Sequence, residues 1–506
     1  MSFFSVGTFV VWGSIAYSDG LVSIAIQSAM CLAGVIIGFA IAPAWNRTNV
    51  MTAAEFIGDR LGPRTRTTYT ALFLLSSMVG MGGWLYPVGK IVEVSTGIPL
   101  STAILFLAAF VLIYTVVGGL WAVLVTDTLQ FVVLTAAIII VAPLAFSQVG
   151  GVSGFLEQAP DNFFNFTNSE YTWGFLIAFV IYNTVFIGGH WGYIQRYTSV
   201  SSPTGARKVA WLFAGLYLVS PLIWMLPPMI YRVMEPGLTG FDNEGAYMLI
   251  SKAVLPAGLL GLMLSAMVFA TASSLNTVLN ISAAVFTNDV YAQINKKASQ
   301  HQLLIVGRVS TAVLGVTAVI SAFMVEFFGG IVNMVLALSA IVGGSLFMPP
   351  IWALFSRRQT ATSILTVTFV SLGANIALNF ITPDLFGVSL DRASQMLFGV
   401  FFPMSLLIAF EAWYALRGKE DPQLSTYNTV QAERREQKKA SIEESLDEQM
   451  DTRSNNIISA SIAVVGLMIA GLGLIADNGT LVVSATGLTI VLAAALLNQR
   501  IRSRLF

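Results

Sequence analysis

Residues 255–288 read LPAGLLGLMLSAMVFATASSLNTVLNISAAVFTN. The run carries no charge and exceeds the roughly 20 apolar residues that cross a bilayer as a helix. Within it Ser273, Ser274, Asn276, Thr277 and Asn280 crowd together. Hydrocarbon penalises such groups unless they find partners, because no water is there to satisfy them. Helical spacing puts Ala270, Ser273, Ser274 and Thr277 on one face, with Asn276 and Asn280 at its border. Two readings fit that face. The hydroxyls can bond back to their own helix or glue a neighbouring one. Alternatively, they coordinate a small cation. A hard alkali ion wants several neutral or singly charged oxygens, and serine hydroxyls with the exposed carbonyls of an interrupted helix supply them.

Working outward, the same apolar character recurs along the chain, as in TAAIIIVAPLAF (135–146) and SILTVTFVSLGANIAL (363–378). The 506 residues are 56% hydrophobic and 10% charged, against roughly a quarter charged in soluble proteins. The runs do not alternate, which argues against a membrane β-barrel. The chain therefore reads as an all-α integral membrane protein. Hydrophobic segments fall at about 1–17, 20–43, 68–95, 99–118, 121–147, 172–190, 205–231, 255–288, 304–325, 328–355, 361–381, 395–416, 456–476 and 479–499. With loop 44–67 placed in the cytoplasm and the loops alternating from there, 22 of the 26 Lys and Arg fall inside. Such a bias follows the positive-inside rule. It predicts a multi-pass protein of the cell inner (plasma) membrane with a cytoplasmic carboxyl terminus.

Other classes find no support. Zero net charge gives no nucleic-acid signal. Cys31 is the single cysteine, so no intramolecular disulfide forms, and a small core residue is expected. His190 and His301 are too few for a metal cluster. No nucleophile–base constellation stands out, so the chain does not read as an enzyme. No cleavable signal peptide is expected, since spanning-type sequence follows Met1 without a basic region. Segment 418–455 includes QAERREQKKASIEESLDEQMD (431–451), which mixes both signs at helical spacing. It reads as a solvated cytoplasmic helix or linker, and a regulatory or docking role rests on its charge alone.

Two further features sit in the apolar runs. Asp127 lies in GGLWAVLVTDTLQFVVL (118–134), which holds no Lys or Arg. An intramembrane carboxylate is costly unless it meets water or a cation. It is either hydrated near the cytoplasmic end or functional. The first segment holds FVVWGSIAY (9–17) and the sixth VFIGGHWGYIQRY (185–197). Both break an apolar run with Gly-x-x-(Ala or Gly)-Tyr, through Gly13 and Gly189. Matching breaks five segments apart point to an inverted-repeat transporter with its site at the breaks. Thr8, Gln27, Asn183 and Phe186 lie nearby. Gln27 stands alone in an apolar helix, so its amide bonds either a solute or a neighbouring helix. The LPP at 226–228 and the MPP at 348–350 read as kinks near helix ends.

Four motifs together resemble the sodium:solute symporter family. They are TAAEFIGDRLG (52–62), GGLWAVLVTDTLQ (118–130), IQRYTSV (194–200) and SSLNTVLNISAAVFTNDVY (273–291). They occur in family order, and the resemblance covers roughly residues 1–357. It implies a LeuT-like fold of two inverted five-helix repeats with extra C-terminal helices. The repeats would span about 1–147 and 172–357, followed by accessory helices at 358–417, the charged cytoplasmic segment 418–455, and two helices and a basic tail at 456–506.

The resemblance also implies a site. Sodium would lie between the first and eighth core helices, on the Ala270 carbonyl, the Ser273 and Ser274 hydroxyls, and the carbonyls of Met1 and Phe4. A possible second cation would use Asp127, Asn276 and Thr277, although Asn276 stands where other members carry a hydroxyl. Solute contacts would be Thr8, Gln27 and Asn183, with Phe186 as the inner aromatic gate. Sugar-transporting relatives carry a lysine where this chain has Tyr217 and an acid where it has Gln27, which argues against copying their specificity. The match begins late in the family pattern. A truncated first helix is expected, with sodium-dependent uptake restored by upstream extension.

The function so implied is sodium-coupled secondary active symport of a small polar organic solute into the cell by alternating access. Its partners would be sodium as coupling ion, the solute and the lipid bilayer, with no nucleic acid and no organic cofactor. A proton-driven permease of the same fold would rely on Asp127 titrating. A transporter-like sensor would need a signalling domain, and 418–455 is too short to be one.

Overall fold

The computed structural model describes residues 6–117, 120–383, 387, 390–444, 449–475 and 479–502, excepting the side chains of 114–131, 289, 293, 437–458, 475 and 497–502. The described residues begin with one helical step at Val6 and Gly7 and a π-helical turn, Thr8–Trp12, which runs into α1 (Gly13–Asp19). Gly20, at φ 63°, turns it into α2 (Leu21–Phe39) and α3 (Ile41–Arg47). A Cβ on Gly20 would lie 2.2 Å from the Phe163 carbonyl oxygen, so only glycine fits there. Helix α4 (Ala53–Leu61) starts at Thr52, whose hydroxyl accepts from the Glu55 amide, and stops at Gly62, φ 90°. Pro63 then opens α5 (Pro63–Gly80), where its missing N–H costs nothing.

Helix α6 (Gly82–Thr96) follows across a joint at Met81. Ser321 spans that joint, donating to the Val79 carbonyl and accepting from the Gly82 amide. Next come α7 (Leu100–Val117), α8 (Leu120–Gln148) and α9 (Gly151–Gln158). Helices α10 (Trp173–Gly189) and α11 (Trp191–Thr198) meet at 63°. Helices α12 (Pro203–Trp224) and α13 (Leu226–Met234) part at Met225, where LPP predicts a kink. The MPP instead lies inside a later helix. Helix α14 (Ala246–Val254) precedes α15 (Ala257–Val285). The remainder is α16 (Gln300–Phe327), α17 (Ile331–Phe355), α18 (Ala361–Ile376), α19 (Arg392–Leu416), α20 (Leu424–Glu444), α21 (Gln449–Ile475) and α22 (Thr480–Arg502).

Where they are described, the fourteen hydrophobic segments fall on helices, with 20–43, 68–95 and 205–231 each taking in two consecutive ones, and the described residues contain no strand. Eight helices among them are long and apolar enough to cross a membrane, or ten if each bent pair is one span. The first segment departs from expectation. Its described part stays helical through Gly13, and the irregularity is the π-turn just before it.

The buried apolar side chains form two cores. One gathers the π-turn, α6, α7, α8 and α13 to α16, with Phe9, Ile140, Met263 and Met267 fully buried. The other gathers α2, α3, α4, α10, α11 and α17 to α19, with Ile37, Trp45 and Phe175. Trp12 and Val332 touch both. Helix α5 crosses the seam, with Tyr69 and Phe73 in the second core and Met78 against the first. At one end of the bundle α20 packs on α4.

Candidate functional site

The polar face of α15 is buried in the first core, beside Ala272, Leu275 and Leu279. Ala270, Ser273, Ser274 and Asn276 are buried, and Thr277 is half-buried. The Ser274 hydroxyl donates to the Ala270 carbonyl at 3.1 Å, and the Thr277 hydroxyl to the Ser273 carbonyl at 3.0 Å. Asn280 donates to the Asn276 side-chain oxygen at 2.7 Å. Back-bonding removes the penalty of about 1–3 kcal/mol for an unsatisfied buried group. A hydroxyl that donates to a carbonyl keeps its lone pairs, so this face remains a row of oxygen acceptors.

The first helix meets α15 there. The Val6 amide donates to the Thr271 hydroxyl at 3.3 Å, one residue past Ala270. The π-turn leaves carbonyls to be satisfied by side chains. Ser23 donates to the Trp12 carbonyl at 2.6 Å and Ser14 to that of Val11 at 2.9 Å. Phe9 packs on Tyr247, ring centroids 4.6 Å apart, and Trp12 stands edge-on to Phe179 of α10 at 5.7 Å. Met1 and Phe4 lie outside the described residues. Asp127 has a described backbone, in α8, which packs along α15, but its side chain also lies outside them.

The expected solute residues come from neighbouring elements. Thr8 is buried on the π-turn. Gln27 is 1% exposed on α2, and among the described residues its amide nitrogen finds no hydrogen-bond partner. Asn183 is buried on α10, which packs against α2, and donates to the Phe179 carbonyl at 2.9 Å. Phe186 sits among rings, 5.7 Å from Tyr182, 5.2 Å from His190 and 5.6 Å from Phe347. Tyr217 packs at a tilt against Phe213, ring centroids 4.5 Å apart, and Tyr193 links that pair to Phe186. Phe186 and Tyr217 thus belong to one chain of rings.

The second break falls where the sequence places it. Helix α10 ends at Gly189, and His190 is extended, its Nδ1 accepting from the Gly192 amide at 3.2 Å to cap α11. The Gly188 carbonyl accepts from the Trp45 indole at 2.8 Å. Sequence reasoning missed Thr271, Ser23 and Trp12. Thr271 was visible as one more hydroxyl in ATASS, but on a single strand of text it does not announce a partner in the first helix.

Comparison with known proteins gives a consistent result. The sequence profile of the sodium:solute symporter family matches residues 1–370. The chain is 26% identical over 452 residues to a sodium/glucose cotransporter of Vibrio parahaemolyticus, covering 82% of this chain and 81% of that one. It is 27% identical over 408 residues to mouse solute carrier family 5 member 4A, covering 69% of this chain and 60% of that protein. The chain thus spans about three fifths of that mammalian relative. Among solved structures, a substrate-bound, outward-open Na+-coupled sialic acid symporter matches with TM-score 0.66 at 22% identity, covering 82% of this chain and 88% of that one. The nucleobase-cation-symport-1 transporter Mhp1 matches with TM-score 0.54 at 17% identity, covering 85% and 93%. The fold is accordingly the LeuT-like inverted repeat of five plus five helices with extra C-terminal helices. With its profile matched across most of its length, the chain belongs to the sodium:solute symporter family.

Proposed function

We propose that this protein carries a small polar organic solute into the cell, driven by sodium, by alternating access. The observation that carries the reading is the buried oxygen row of α15 meeting the first helix, which touches both cores through Trp12. Sodium is held there by the Ala270 carbonyl and the Ser273 and Ser274 hydroxyls, completed by the Met1 and Phe4 carbonyls. Asp127, Asn276 and Thr277 are the candidates for a second cation. Thr8, Gln27 and Asn183 face the solute, and the ring chain from Phe186 to Tyr217 bounds it on the inner side. The unpartnered Gln27 amide supports this, because a solute carbonyl or carboxylate would complete it.

Repeats of about 1–147 and 172–357 form the transporter, helices at 358–417 flank it, and 418–455 lies in the cytoplasm with the carboxyl terminus. The Lys and Arg count supports that orientation in a plasma membrane.

The mechanism rests on differential binding. A site shared between two bodies exists only when they are close, so the ion favours that arrangement and the solute-competent pocket with it. Inward movement of each positive charge gains about 2.3 kcal/mol per 100 mV.

Purified protein screened by thermal shift against sugars, amino acids, sialic acids and other organic acids, with sodium or choline at fixed pH, tests this. One solute class should raise Tm in sodium and not in choline. Equal shifts in both salts, abolished by Asp127→Asn, would favour proton coupling.

A further inference from the structure

The charged segment after α19 is fastened to the transporter. Asp421 forms a buried ion pair with Arg60 of α4. The same guanidinium donates to the Ser356 carbonyl at 3.1 Å and is 3.4 Å from that of Gln359. Gln423 lies over Gly62, where a Cβ would come within 3.0 Å of its amide. Tyr427 of α20 stands edge-on to Phe56 at 5.9 Å, with the Arg60 guanidinium 6.0 Å from its ring centre. Two turns further on, Arg434 reaches Glu55 and Asp59 together, each at 2.7 Å. Residues 421–434 therefore hold α4 and the Gly62 turn from outside.

That turn is the foot of α5, the helix that crosses from the second core to the first. If the cores move against each other, α5 must tilt, and its foot must give. We propose that residues 421–434 are a strap that restrains this foot and so sets how fast the two cores exchange arrangements, with Arg434 as its releasable latch. The proposal rests on the alternating-access reading above. The two ion pairs differ in kind. Arg60 and Asp421 are both nearly inaccessible, and separating them would strand a buried charge, so they are a permanent anchor. Arg434, Glu55 and Asp59 are partly exposed, and such pairs open at small cost.

The test uses the full chain in lipid nanodiscs with Cys31→Ala. Fluorophores on cysteines replacing Ser201 and Ile294, both exposed on different connecting segments, report single-molecule transitions in sodium or choline chloride. Arg434→Ala should speed the transitions about threefold to tenfold. The charge-exchanged Glu55→Lys, Asp59→Lys, Arg434→Glu should return them toward the wild-type rate. An unchanged rate in Arg434→Ala, or no return in the exchanged variant, overturns the strap. So does faster amide exchange in α4 without faster transitions, which would mark an ordinary stabilising contact. One fixed distance in every variant and both salts would instead overturn alternating access, and the strap with it.

Discussion

Ser274 shows how one hydroxyl serves two ends. Its proton goes to the Ala270 carbonyl, which keeps a buried group satisfied inside α15, while its lone pairs stay available. The fold therefore tolerates the hydroxyl without an ion, and under the proposed function the ion uses it as a ligand. Ser274→Ala separates these roles. Loss of one neutral intrahelical bond should change stability by about 1 kcal/mol or less. Loss of an oxygen on a charged partner is worth about 1.5–3 kcal/mol, so the sodium concentration at half-maximal response should rise about tenfold or more. A sodium titration of uptake, or of Tm, measures this. An unmoved midpoint would remove Ser274 from the site.

Among the elements, the two glycine motifs that look alike in the sequence are unequal in the structure. A Cβ on Gly189 would lie 2.6 Å from Phe347 Cβ and 2.9 Å from the Phe347 carbonyl oxygen, whereas one on Gly13 meets nothing closer than 3.8 Å. Gly189→Ala should therefore push α10 off α17 and cost about 1–3 kcal/mol, while Gly13→Ala should leave Tm near wild type. Thermal unfolding of the two variants side by side checks the contrast, and equal Tm values would contradict it. What the sequence could and could not reveal divides along this line. Apolar length located every spanning helix, and polar residues against that background located the face on α15. The break at His190 was legible because glycines interrupt an apolar run. The π-turn at Thr8–Trp12 was not, since it depends on hydroxyls from Ser14 and Ser23 reaching back to its carbonyls. Nor was the Ser321 bridge across the α5–α6 joint, or the pairing of Arg60 with Asp421 across 361 positions. Pairings that distant leave no local period to read.

Viewed as a whole, the molecule is tied at both ends of the bundle. Opposite the strap, Asp19 at the end of α1 accepts from Asn168 at 2.7 Å. Arg392, at the start of α19, bonds Glu170 and Tyr171, and also Asn333 of α17. This second tie joins the first helix to the connection before α10 and to two later helices, so it too resists relative motion. Its charge balance carries a pH signature. Burial, reinforced by the Glu170 carboxylate, pushes the Asp19 carboxyl up to about 6, while Asn168, Arg392 and Arg232 pull the other way. An acid whose folded pKa exceeds its unfolded value holds its proton more tightly in the fold. Its contribution to stability is therefore full below about pH 4 and is lost as pH rises through about 6. At about 1.4 kcal/mol per unit, less solvent screening, the loss is on the order of 2 kcal/mol. Asn at this position keeps the acceptor and removes the titration. The Tm of Asp19→Asn relative to wild type should climb between pH 4 and 6 and then level off. A difference that stays flat across that interval would show that Asp19 ionises freely in the folded protein, and that this tie is indifferent to its charge.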